Sequence, residues 1–187
     1  MEIYGIVSSL LCLIPLSYFI YYRIYLKGAN WVLAYLIYAL IADGIFILSH
    51  IFKLELPAFF NIYLSFLTEI VLLNSMYFSW SKNYLIIFWT FINISYLLYS
   101  SLAQNEPNIS LTLGGCLIME LLTSIFLLIT NKTWLFKWQF FIILGFIFYQ
   151  STAIFAFGFV SYLLLHNLIL AQFLQGFSNI GLYTIIT

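Results

Sequence analysis

Three carboxylates and two imidazoles lie within long apolar runs of this chain, or at their ends, and they are where its chemistry would begin. An ionisable side chain inside such a run is costly to bury, so each marks a functional site by default. The acids are Asp43, Glu69 and Glu120. Counted at about 1.5 Å per residue from the ends of their apolar stretches, all three fall near one depth. Asn93, Gln150, Gln172 and Gln175 fall at the same level, so every apolar stretch except the first supplies a large polar side chain. Facing inward, these groups form a ring that lines a polar site at mid-height, where membrane transporters and many receptors hold small ligands or ions.

Helical spacing supports the inward direction. Ser65 and Glu69 are one turn apart, and Cys116, Glu120, Thr123 and Ser124 share one side of their helix. Gln172, Gln175, Asn179 and Tyr183 share a narrow arc. Glu69 and Glu120 rank above Asp43, because their helices carry the clearer polar stripes. The competing reading is structural: buried amides act as interhelical glue at about 0.6–2 kcal/mol per bond, and a neutral carboxyl can donate a hydrogen bond in a dry interior.

His50 shares one face with Asp43 at a spacing of seven, and His166 sits at a similar depth at the start of the last stretch. Two imidazoles and a carboxylate suit zinc. No HxxxH or HExxH pair is present, so a pH sensor or a helix cap is preferred to a metal centre. No nucleophile motif such as GxSxG occurs, no catalytic residue is assigned and no cofactor is expected.

Positioning such a ring requires membrane-spanning helices. The chain is 65% hydrophobic and only 6% charged, whereas about a quarter of the residues in soluble domains are charged. A spanning helix needs roughly 20 mostly apolar residues. The expected fold is therefore all-α, a single transmembrane bundle over 1–187, with helices at about 3–22, 31–52, 59–80, 84–102, 109–130, 138–160 and 164–187. The break before the seventh is faint, but Trp138 to Thr187 as one helix would extend about 75 Å, so a reversal near Ser161 is required. Pro15 lies inside helix 1, where it should kink or loosen the chain.

Basic residues set the orientation. Arg23, Lys27, Lys82, Lys132 and Lys137 follow odd-numbered helices, and Lys53 alone falls on the other side. The positive-inside rule then places the N-terminus outside and the C-terminus in the cytoplasm. Trp31, Trp80, Trp134 and Trp138 fall at the cytoplasmic ends, as an interfacial belt does, while Trp89 sits deeper in helix 4 and is expected to pack in the apolar interior. The location is a cell membrane with several crossings, the inner membrane if the source is bacterial.

Zero net charge and dispersed Lys and Arg give no surface for nucleic acid. The partners expected are the lipid bilayer and a membrane-bound signalling protein. Small residues such as Gly5, Ser9, Gly114, Gly115, Gly176 and Gly181 also permit close helix contact, within the bundle or with a second copy. Cys12 and Cys116 lie in apolar segments and read as small core residues.

The stretches Asn61 to Tyr77 (NIYLSFLTEIVLLNSMY), Trp138 to Tyr149 and His166 to Tyr183 resemble the Asn-Tyr-Glu-Tyr and His-Asn-Tyr patterns of small uncharacterised bacterial seven-helix membrane proteins often encoded beside sensor histidine kinases. That resemblance implies a role near signalling. Three functions follow in order: a receptor-like or signalling-accessory bundle with a midplane ligand site, a proton- or cation-coupled transporter using the three acids, and an intramembrane metal-dependent enzyme.

Overall fold

The computed structural model describes residues 2–22, 26, 28–52, 58–102, 107–131, 137–158 and 168–186. They form seven helices: α1 (Glu2–Tyr22), α2 (Ala29–Ile51), α3 (Ala58–Ser81), α4 (Tyr84–Leu102), α5 (Pro107–Thr130), α6 (Trp138–Gly158) and α7 (Leu168–Ile186). No strand occurs among the described residues. The reversal expected near Ser161 lies outside them, as do His166, Arg23, Lys27, Lys53, Lys132 and Trp134.

Local chemistry explains several boundaries. α5 starts at Pro107, two residues earlier than expected, because proline is pre-organised for a first helical turn and has no N–H to leave unpaired there. α3 ends where Lys82 takes a left-handed backbone, φ 55°, while its N–H still reaches Phe78 O at 2.8 Å. Asn83 Oδ1 then accepts the Leu85 N–H at 3.0 Å and caps α4. Gly28, at φ 89°, occupies a position where a Cβ would meet the Trp80 indole. Pro15 is buried within α1, which continues through it.

Successive helices pack in chain order, α7 closes against α1, and α3 also reaches α5. Two apolar clusters fill the interior. One joins Cys12, Leu16 and Phe19 of α1 to Leu36, Met76, Leu127, Ile143, Phe146 and Leu182. The other gathers Tyr63, Phe66 and Ile70 of α3 with Leu97, Leu113, Cys116, Leu117 and Ala153. Between them the inner faces turn polar. Along α5 the buried positions read Cys116 and Leu117, then Glu120, Thr123 and Ser124, then Leu127; α6 runs Phe146, Gln150, Ala153.

The outer faces are apolar as well. Ile37, Ile41, Ile45 and Leu48 form an exposed stripe on α2, and Ile118, Leu122, Ile125 and Ile129 form one on α5. Trp89 belongs to this outside: it is 42% exposed beside Leu85 and Phe88, not packed within the interior as expected, although it stands within a turn of the buried Ile86 and Asn93 on α4. Thr112–Thr130 and Trp138–Ala156 are long and apolar enough to cross a membrane, and shorter apolar segments lie at Leu10–Tyr22, Ala29–Ile45 and Tyr84–Ser100.

Close packing between α6 and α7 depends on Gly181, whose missing Cβ leaves room for the Phe148 ring. Gly181→Val should therefore destabilise the chain by roughly 1–3 kcal/mol, the cost of overpacking. Gly44 has open space around its Cα, so Gly44→Ala should be neutral or stabilising by up to about 1 kcal/mol. Denaturant unfolding of the purified proteins compares the two directly.

Candidate functional site

α3 supplies the centre of the polar layer. Its inner face carries Glu69, Asn74 and Tyr77, which reach three neighbouring helices. Asn74 Nδ2 donates to Glu120 Oε1 on α5 at 2.7 Å, and Asn93 Nδ2 of α4 donates to the same oxygen at 2.8 Å. Asn93 Nδ2 also lies 3.5 Å from the Cys116 carbonyl. One carboxyl oxygen thus ties α3, α4 and α5 together.

The network continues toward α6. Ser124 stands one turn beyond Glu120, with its Oγ 3.0 Å from the Glu120 carbonyl. That Oγ is also 2.8 Å from the Tyr77 hydroxyl and 3.0 Å from Gln150 Oε1. Asn74, Asn93, Glu120, Ser124 and Gln150 are all buried. Groups desolvated to this degree are costly unless they bond to one another, and most of these do. The exceptions are Glu120 Oε2, Asn74 Oδ1, Asn93 Oδ1 and Gln150 Nε2, which have no hydrogen-bond partner among the described residues. Three of these four atoms are acceptors clustered around one carboxyl.

Glu69 forms a second, adjoining site. The Tyr35 hydroxyl of α2 donates to its Oε1 at 3.2 Å, and Tyr149 of α6 lies within electrostatic reach of the same carboxyl. Tyr38 donates to the Ser65 carbonyl one turn away at 2.8 Å. Glu69 and Glu120 lie within electrostatic reach of each other, with Tyr77 near both. Asp43 of α2 lies within electrostatic reach of Cys12 on α1, Tyr38 on α2 and Tyr183 on α7.

Of the expected ring, Asn93, Glu120 and Gln150 join one network, Glu69 adjoins it, and Asp43 lies among Cys12, Tyr38 and Tyr183. The side chains of His50, Gln172 and Gln175 lie outside the described residues, as does His166. Among the described residues no group of three or more His, Cys, Asp or Glu is placed to hold a metal. The described polar groups of this network contact one another. Among the described residues a cleft of about 250 Å³ lies between α3 and α4, lined by Val71, Asn74, Ser75, Thr90, Phe91 and Ile94 among others.

Asn74 and the tyrosines were absent from the sequence-based ring. Asn74 is a carboxamide in the middle of an apolar run, the same signal that marked Asn93. Tyr35 and Tyr77 each count as apolar in a hydrophobic tally, yet each hydroxyl bonds inside the bundle. No protein-family model, curated protein or solved structure matches the chain.

If Glu120 is the tie among three helices, Asn74→Leu and Asn93→Leu should each destabilise the fold by about 1–3 kcal/mol, since each removes a bond to a buried carboxyl. In a Glu120→Leu background the same changes should cost less, which a double-mutant cycle on denaturant unfolding would reveal.

Proposed function

We propose that this chain is a multi-pass membrane protein, with the N-terminus outside and the C-terminus cytoplasmic, that acts as a receptor-like or signalling-accessory bundle and binds a small ligand at the Glu120 network. The membrane reading is supported by the reversal of the usual soluble pattern: apolar stripes outside, a hydrogen-bonded polar layer inside. Soluble monomers rarely expose apolar surface on this scale. The orientation is supported by the distribution of Lys and Arg, and by Trp80 and Trp138 meeting at one end of the bundle with ring centroids 5.4 Å apart.

The observation that carries the ligand reading is the unsatisfied half of the network. Glu120 takes two amide donors on one oxygen while its other oxygen and both amide oxygens remain without a partner. Purely structural networks tend to be fully satisfied, because each buried unpaired polar group costs about 1–3 kcal/mol. A ligand that supplies donors favours one arrangement of α3, α4 and α5, and that differential affinity is what shifts a helix bundle between states.

A second reading, proton- or cation-coupled transport, is favoured by the proximity of Glu69 to Glu120 with the Tyr77 hydroxyl near both. It predicts flux in proteoliposomes that Glu69→Gln or Glu120→Gln abolishes.

Two outcomes are expected. A maleimide that cannot cross the bilayer should label Lys82→Cys from the cytoplasmic side and Lys53→Cys from the opposite side; labelling of both from one side would contradict the topology. In a thermal-shift screen of small polar and amphiphilic solutes in nanodiscs, at least one should raise the midpoint of the wild type and leave Glu120→Gln unchanged. Equal shifts in both proteins would remove Glu120 from the site.

A further inference from the structure

We infer that the cleft between α3 and α4 is a lateral entrance to the Glu120 site, and that it admits a primary ammonium group carried on a slender apolar chain. The inference rests on the proposed ligand site and identifies its chemistry.

Asn74 connects the two features. It is 3% exposed and lies on the cleft wall, and its Nδ2 holds Glu120. The cleft is therefore one side chain away from the carboxyl. Its mouth opens on the outer surface beside Val71 and Phe91, which are 42% and 66% exposed. An occupant would arrive from the lipid, not from water.

Shape restricts the occupant. A volume of about 250 Å³ falls below the roughly 300–1,000 Å³ of pockets that hold drug-sized molecules. The apolar wall of Val71, Phe78, Ile87, Phe91 and Ile94 fits one alkyl chain. Ser75 and Thr90 add the only hydroxyls of the lining, and Thr90 Oγ1 already donates to the Ile86 carbonyl at 2.6 Å.

Hydrogen-bond accounting restricts the head. Three acceptors, Asn74 Oδ1, Asn93 Oδ1 and Glu120 Oε2, lack donors. A carboxyl proton on Glu120 would serve one of them. A hydroxyl head likewise brings one donor, and a quaternary ammonium brings charge without any. A primary ammonium brings three N–H donors and a charge that pairs with the carboxylate, so the buried pair is neutral as a whole. Turning the Asn74 carboxamide opens the last step between cleft and carboxyl, which makes Asn74 the positioning residue of the entrance.

The test uses the full chain in phosphatidylcholine nanodiscs with octylamine as probe and octanol and octyltrimethylammonium as comparators, read by calorimetric titration. Octylamine should bind saturably and about tenfold or more tightly than either comparator. Glu120→Gln should weaken it by a similar factor. Val71→Trp, a cleft-filling change on the outer face, should also abolish octylamine binding while the unfolding midpoint stays near that of the wild type. Repeating the titration with phosphatidylethanolamine in the disc identifies the source: competition assigns the ammonium to a lipid headgroup, and its absence assigns a free amine, both within the proposed site.

Octylamine and octanol binding alike would overturn the ammonium assignment. Loss in Glu120→Gln with no effect of Val71→Trp would overturn the entrance while leaving Glu120 as a ligand site. Octylamine bound equally by wild type and Glu120→Gln would overturn this inference, and the solute screen above would still decide the broader reading.

Discussion

Two amides from different helices converge on one oxygen of Glu120, and the packing of α3, α4 and α5 follows from that convergence. A carboxyl this deeply buried is tolerable only where donors reach it, so the three helices cannot slide or rotate independently without stranding a polar group. The Tyr77–Ser124–Gln150 chain extends the same constraint to α6. Apolar clusters above and below this layer then need only complementary shape.

Asn74 belongs both to the Glu120 network and to the α3–α4 cleft. Its amide nitrogen completes the Glu120 tie, and its side chain forms part of the α3–α4 cleft. Anything that draws the carboxamide toward the cleft must loosen the bond to Glu120, and the reverse holds as well. A ligand entering through the cleft would therefore act on the contact between α3 and α5, which is the form of coupling a small bundle with short connections can support.

The helices were legible because apolar runs of spanning length are broken by a few polar residues, and the shared depth of Asn93, Glu120 and Gln150 followed from counting rise along each run. Rotation about each helix axis was much harder to read. With outer and inner faces both apolar, little amphipathic contrast marks the interior, and Trp89 was assigned to the wrong side for that reason. The partner of Glu69 was hidden because Tyr35 looks apolar in composition while its hydroxyl bonds to a carboxyl. The cleft depends on how α3 and α4 pack, a property that no local pattern encodes.

The central claim is that Glu120 is a reachable site and not merely internal glue, and a hydrophobic carbodiimide tests it whatever the ligand is. Such a reagent partitions into the bilayer and modifies protonated carboxyls it can contact. Mass spectrometry of the native chain in nanodiscs, treated across a range of pH, should find the adduct on Glu120 and find it suppressed when Val71→Trp fills the cleft. An unmodified Glu120 in the folded protein at every pH, with ready modification once the chain is unfolded, would contradict the account and leave that carboxyl a structural tie alone.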